Sequence, residues 1–451
     1  MQITMPPCRF AGVALTLGVL ALGPCAAWAD DAGSDTPAAP QIWAIHGQLT
    51  SVSQYHPAFH AAYSGPNSLD RGNRGDTTND VTLFLGVRPW KGAEIWLNPE
   101  IDQGFGLSNT LGVAGFTSGE AYKVGRSTPY FRMQRWFLRQ TIDLGGETQK
   151  VDGDQNVLAG SQTQNRLVFT IGKFGVVDIF DNNKYAHDTK NDFLNWSLID
   201  TGTYDYAADA WGYTYGAAAE WYQGNWTTRF GLFGLSDVPN SKKLDGTLHQ
   251  FQYNAEIEHR HQLWGQPGAV RVTAFVTRGR MGSLAVATER SVLTGLPPDI
   301  VAVRRWASRG GVSLNAEQQV MQDLGVFLRA GWAEGDKETY EFTDIDHTVA
   351  AGAALTGARW GRGDDTVGLA GVVNEASAQR KAFLAAGGLG ILIGDGKLIN
   401  SGPEEILETY YSIALIKQAH LTFDYQYITN PGYNRDRGPA SVFGARVHAQ
   451  F

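Results

Sequence analysis

Arg135 and Arg139 stand four residues apart, in phase with Thr141 and Asp143. Glu94 and Glu100 occupy polar positions of the preceding stretch, and Glu256, Arg229 and Arg329 hold similar positions further on. A guanidinium is a planar fork of donors that bonds adjacent hydroxyls or a carboxylate. Fixed charges lining a watery passage also set the field that a solute meets. A second group lies between Phe174 and Ala207: Asp181, Asn183, Asn195, Trp196, Asp200 and Asp205. Here an indole plate sits among amides and carboxylates, a set suited to a flat solute rich in hydroxyls. Each group has a plainer alternative. The charges can form a ladder of salt bridges that stiffens a wall, and Trp196 can pack against that wall.

Catalytic patterns are missing. The sequence has no His-Glu-x-x-His, Gly-x-Ser-x-Gly or Cys-x-x-Cys, and Gly396-Lys397 is followed by Leu398 instead of the Ser or Thr of a phosphate loop. Asp181-Asn182-Asn183 opens like a calcium loop, but Ala186 replaces its glycine and Asp192 its usual glutamate. A calcium ion at the Asp181–Asp192 loop is therefore the one cofactor the sequence offers, against a simple hydrogen-bonded loop. His259 and His261 could suit a metal, yet Trp264 beside them favours an interfacial belt.

The elements that must position these groups alternate with period two. Val81, Leu83, Leu85 and Val87 share one face, opposite Thr82, Phe84, Gly86 and Arg88. Ile95, Leu97 and Ile101 oppose Glu94, Trp96, Asn98 and Glu100; Phe251 to Ile257 and Leu421 to Tyr427 repeat the pattern. Such alternation predicts strands with one apolar and one polar face. Tight turns are expected at Pro89–Gly92, Gln223–Asn225, Trp264–Gly268, Val320–Asp323, Gly361–Asp364 and Lys417–Gln418. Longer loops alternate with them: Asp102–Pro129, Phe174–Ala207, Arg280–Ala307 and Glu375–Pro403. About sixteen strands with short turns at one end and long loops at the other predict an all-β, transmembrane antiparallel barrel. Thr148–Gln164 is long for a periplasmic turn, and over Glu334–Gly357 the strand edges blur. Trp211, Tyr213, Tyr215 and Trp221 share a parity and are expected in the lipid-facing aromatic belt.

Composition agrees. Of 451 residues, 54 are Gly and only 18 % are charged, with a net charge of −8. An acidic chain with no basic excess is not a general nucleic-acid binder. Residues 1–29 read as a signal peptide: Arg9, an apolar run from Phe10 to Leu22, and Ala27-Trp28-Ala29 before the expected cleavage. Both cysteines, Cys8 and Cys25, lie there, so the exported chain holds no disulfide. A short leader over 30–41 and one barrel over 42–451 complete the expected organisation. The last strand places Phe443, Ala445, Val447, Ala449 and Phe451 on one face, and its aromatic terminus resembles the assembly signal of outer-membrane proteins.

Ile171-Gly172-Lys173-Phe174, Asp178 to Asp188, and Asp192-Phe193-Leu194-Asn195-Trp196 together resemble the signature of the carbohydrate-selective porins of the OprB type. Phe383 to Gly390, continuing through Ile393-Gly394-Asp395-Gly396, and the weaker Ala208 to Gly216 extend the resemblance. It implies a sixteen-stranded pore in the outer membrane of a Gram-negative bacterium. Sugars would be its solutes and outer-membrane lipid its surroundings. An ion-conducting porin without a sugar site and a barrel-based enzyme are the rival readings. Many porins trimerise, but no interface signature for a homo-oligomer separates in this sequence.

On this reading the constriction candidates are Glu94, Glu100, Arg135, Arg139, Asp181, Asn183, Asn195, Trp196, Glu256 and Arg329. The 174–207 segment is expected to fold inward, with Arg135 and Arg139 facing its opening. Phe131, Met133 and Phe137 share the arginines' parity, so that face is impure.

Overall fold

The computed structural model describes residues 40–121 and 125–451. The expected signal peptide and most of the leader lie outside the described residues. Among those described, sixteen strands form a closed antiparallel barrel in which each pairs with its neighbours in sequence. The first eight are β1 (Trp43–His56), β2 (Arg74–Val87), β3 (Ala93–Gly104), β4 (Arg126–Val151), β5 (Gly160–Phe174), β6 (Thr214–Gln223), β7 (Trp226–Gly234) and β8 (Phe251–Leu263). The second eight are β9 (Gln266–Gly282), β10 (Arg304–Met321), β11 (Leu324–Ala333), β12 (His347–Gly357), β13 (Arg362–Glu375), β14 (Glu404–Ile416), β15 (Ala419–Thr429) and β16 (Ala440–Gln450).

Closure follows from the solvent. Hydrocarbon offers a peptide group no partner, and each unpaired one costs several kcal/mol. The first and last strands therefore pair, from Gln48 opposite Gln450 to Tyr55 opposite Phe443. Gly47 and Phe451 extend the seam by exchanging backbone bonds of 3.0 and 2.9 Å. The outward face is apolar, as the alternation predicts: Val81, Leu97, Ile257, Leu369, Phe423, Phe443 and Val447 are all exposed. Buried polar groups, among them Thr82, Glu256, Arg329 and Arg446, fill the inward positions.

The sequence count of strands and the alternation of connection lengths match the structure, while boundaries shift. The turn expected at Trp264–Gly268 is only Trp264-Gly265, and that expected at Gly361–Asp364 falls at Ala358–Gly361. The 280–307 loop holds an eleven-residue helix, Leu284–Thr294, and ends earlier, before Arg304. Of the two irregular stretches, 334–357 resolves into a loop and β12. The other is a bent hairpin: β4 and β5 pair out to Val151 and Gly160, with register shifts around Gly145. Gly145 and Gly146 supply the bend, with φ of 102° and 91°.

A bulge also explains the impure face of β4. Asn98 pairs with Arg135 and Pro99 with Met133, so Gln134 is one residue too many. An extra residue reverses the in–out alternation beyond it. Phe131 and Met133 face outward before the bulge, and Trp136 does so after it. Phe137 is buried on the inner side, the side from which Arg135 and Arg139 reach their acidic partners.

Leu369 sits at the middle of β13 and is 53 % exposed. Leu369→Arg is expected to lower stability in lipid by about 2–4 kcal/mol, the cost of a cation facing mid-bilayer. Denaturant titration in vesicles measures it. An unchanged midpoint would contradict the assignment of this face to lipid.

Candidate functional site: the constriction of the lumen

Three long connections turn into the barrel. The segment 175–213 leaves β5 and returns at β6, yet it crosses to the far wall. Leu194 and Asn195 donate their backbone N–H to Glu408 of β14 at 2.5 and 2.9 Å. Arg446 of β16 donates to the Asp192 carbonyl at 2.8 Å. Arg329 of β11 donates to the Leu198 carbonyl at 2.5 Å. The connection after β3 crosses as well: the Ala114 and Gly115 amides both reach Glu404 at 2.8 Å. The third, 334–346, meets the first at Asp205, whose carboxylate accepts from the amides of Tyr340, Glu341 and Phe342 at 2.7, 2.9 and 3.1 Å.

Between these loops and Glu100 of β3 remains a cavity of about 110 Å³. Trp196, Tyr206, Trp211 and Tyr213 line it as aromatic surface; Glu100, Glu120 and Lys190 are its charged groups. Lys190 donates to Glu120 at 2.5 Å, Asp80 at 3.0 Å and Thr50 at 3.3 Å. Burial alone would weaken its charge, but Asp80 and Glu120 hold the ammonium well above its usual range. Glu100 accepts from Thr82 at 2.6 Å and Gln134 at 2.9 Å.

The structure divides the sequence candidates into three groups. Glu100 and Trp196 line the cavity. Trp196 is 2 % exposed, stacked on Phe116 at 5.2 Å and 17° with Phe342 at 6.2 Å, so it meets the cavity from within a packed aromatic cluster. Asp181, Asn183, Asn195, Glu256 and Arg329 instead fasten loop to wall. Asp181 accepts from Thr201 at 2.7 Å and Asn315 at 2.8 Å, and its amide donates to Glu256 at 2.8 Å. Asn183 donates to Asn315 at 2.7 Å, and Asn195 to the Gly115 carbonyl at 2.7 Å.

The third group is split. Arg135 forms a two-pronged pair with Asp178 of the inward segment, at 2.8 and 2.7 Å. Arg139 lies toward the short-turn end, 3.4 Å from Glu94 and 2.7 Å from the Asn156 carbonyl. The bent hairpin has reached inward to meet it, so the two arginines serve different parts of the pore. Asp181 and Asp192 also serve different partners, Asp192 accepting from the His187 and Asp188 amides at 3.0 Å. Among the described residues no group of three or more His, Cys, Asp or Glu side chains is arranged to hold a metal ion.

Trp211 and Tyr213 correct the expected aromatic belt. Tyr215 and Trp221 face outward as expected. Trp211 and Tyr213 precede β6 and turn into the lumen, because Gly212, at φ 96°, interrupts the alternation. Arg132 lies 3.4 Å from the Trp211 ring centroid, and Arg135 lies 4.7 Å from that of Tyr213. Both aromatics were legible as a cluster; only the glycine between them marked the change of face.

A closed barrel with an apolar outside and a charged, loop-narrowed inside is the architecture of a membrane pore. The chain belongs to the OprB family of carbohydrate-selective porins, whose family model matches residues 67–451. Its fold is similar to that of Pseudomonas putida OprB, with a TM-score of 0.69 at 15 % identity, covering 91 % of this chain and 94 % of that one. The outer membrane channel DcaP of Acinetobacter baumannii gives a TM-score of 0.51 at 10 % identity, covering 91 % and 97 %. A comparison with curated protein sequences gives no match. The family is one of channels rather than enzymes, and it implies an outer-membrane location.

Two expectations follow from the loop's charges. Burial would raise the Asp178 carboxyl, but the Arg135 guanidinium beside it holds it below the usual range. Arg135→Ala leaves that carboxylate in the passage without its partner. Reversal potentials in a salt gradient should shift severalfold toward cations, while the barrel still assembles. An unchanged ion preference in the folded variant would count against Asp178 facing the permeating ions.

Asp200 is buried, and burial, with Asp181 nearby, raises its carboxyl to about 8. His187, 3.7 Å away, is pushed down by burial, so this pair is neutral at pH 7. A carboxyl raised on folding adds stability that is complete below about pH 4 and lost as pH rises through 8. The loss approaches 1.4 kcal/mol per pH unit at most. Asp200→Asn should flatten stability across that window, as read by denaturant titration at several pH values. A variant with the wild-type slope would show that Asp200 does not carry it.

Proposed function

We propose that mono- and small oligosaccharides diffuse passively through this lumen and are selected at the 110 Å³ constriction. The observation that carries this reading is the pairing of aromatic surface with fixed polar groups in one cavity lined by the inward loops. Trp211 and Tyr213 offer apolar ring surface to the carbon face of a sugar. Glu100 and Glu120 offer carboxylate oxygens to its hydroxyls, and Lys190, its three donors taken by Glu120, Asp80 and Thr50, holds Glu120 in place. Such groups must bind weakly enough to release the solute, and none needs to react. The chain would reach the outer membrane of a Gram-negative bacterium through the periplasm, with lipid around its apolar belt.

Single-channel recording in planar bilayers tests this. Glucose or a disaccharide should interrupt the ion current reversibly. Trp211→Ala should weaken the block by roughly 2- to 10-fold, the worth of one aromatic contact. A current indifferent to high sugar would favour a general ion-conducting porin instead.

A further inference from the structure

A larger cavity, about 800 Å³, opens on the short-turn side of the same lumen. Residues of β4, β5, β6, β8, β9 and β10 wall it, with Lys184 and Tyr185 of the inward segment. Four cations line it: Arg166, Lys184, Arg260 and Arg271; Glu317 is the lining carboxylate.

Most of these charges are already matched. Arg260 donates to Glu258 at 2.5 Å and to Thr227 at 2.6 Å. Arg271 pairs with Glu258 at 3.0 Å and Glu317 at 3.2 Å. Glu317 also accepts the Lys184 amide at 2.6 Å. Arg229 completes this ladder against Glu220, Glu256 and Glu258, at 3.0, 2.6 and 2.9 Å.

Two cations are left over. Among the described residues no carboxylate lies within ion-pair distance of Arg166 or of the Lys184 ammonium. Arg166 lies 3.6 Å from the Tyr222 ring centroid and gives Nη1 to the carbonyls of Thr163 and Gln164 at 3.2 and 3.4 Å. Its Nε is buried without a hydrogen-bond partner. A guanidinium whose plane is fixed by an aromatic ring and which keeps donors free of any carboxylate is prepared for an anion. Gln149, Gln164 and Gln262 line the same space and suit hydroxyls.

We propose that this vestibule binds the carboxylate of an acidic sugar, an aldonate or a uronate. Arg166 and Lys184 hold the carboxylate, and the Tyr222 side of the cavity holds the polyol. The pore then accepts sugar acids as well as neutral sugars. This proposal rests on the sugar-porin reading and extends its substrate class.

The probe is gluconate, compared with glucose and acetate in single-channel recordings at low salt. Gluconate should block at roughly tenfold lower concentration than glucose, as a charge-assisted contact allows. Acetate, which has the charge but no polyol, should block poorly. Raising ionic strength should erase the gluconate advantage and spare the glucose block. The paired substitution Arg166→Gln with Lys184→Gln should bring gluconate to the level of glucose, with glucose unchanged. Gluconate no better than glucose, acetate equal to gluconate, or an advantage that survives the paired substitution would each overturn the proposal while leaving the glucose block intact. Failure of glucose itself to block would overturn the sugar-porin reading and this proposal with it.

Discussion

Every feature of this molecule depends on the absence of water as a partner for backbone groups in hydrocarbon. A sheet edge there would leave a row of N–H and C=O groups unpaired at several kcal/mol each. The pairing of β16 with β1 removes the edge. Closure in turn fixes the alternation, since each strand then has one lipid face and one lumen face. The lumen is therefore free to be polar, and a chain only 43 % hydrophobic can sit in a membrane.

A sixteen-stranded ring encloses more space than a sugar needs. The long connections fill it, and buried polar contacts hold them. Arg309 meets Asp205 at 3.1 Å, and Arg380 meets Asp344 and Asp346 at 2.7 and 2.9 Å. Leaving one charge of such a pair alone costs about 3–5 kcal/mol, so the loops are fixed more by what their release would strand than by net attraction. The matched charges of the β7–β10 ladder stiffen the wall and cancel one another. What a solute meets is the remainder: the aromatic–charged constriction above, and Arg166 with Lys184 below.

The alternation made the barrel legible because period two is a direct record of the two faces. Loop length marked the inward segment for the same reason, since thirty or more residues are more than a surface connection needs. Partners across the lumen left no such trace. Nothing in the spacing of Asp181, Asn195 and Glu256 says that their hydrogen bonds are spent on holding a loop. Gln134 shows the limit clearly: one extra residue in β4 reverses the face of everything after it. Parity counting alone could not choose between Arg135 and its neighbours, and the bulge did.

The central claim is that the inward loops, rather than the barrel's diameter, set the size of the pore. Exclusion of neutral polyethylene glycols from single channels measures that size directly. Polymers smaller than a disaccharide should enter and depress the conductance, and those larger than a trisaccharide should leave it unchanged. Entry of polymers several times that size would show an open barrel and would contradict the account.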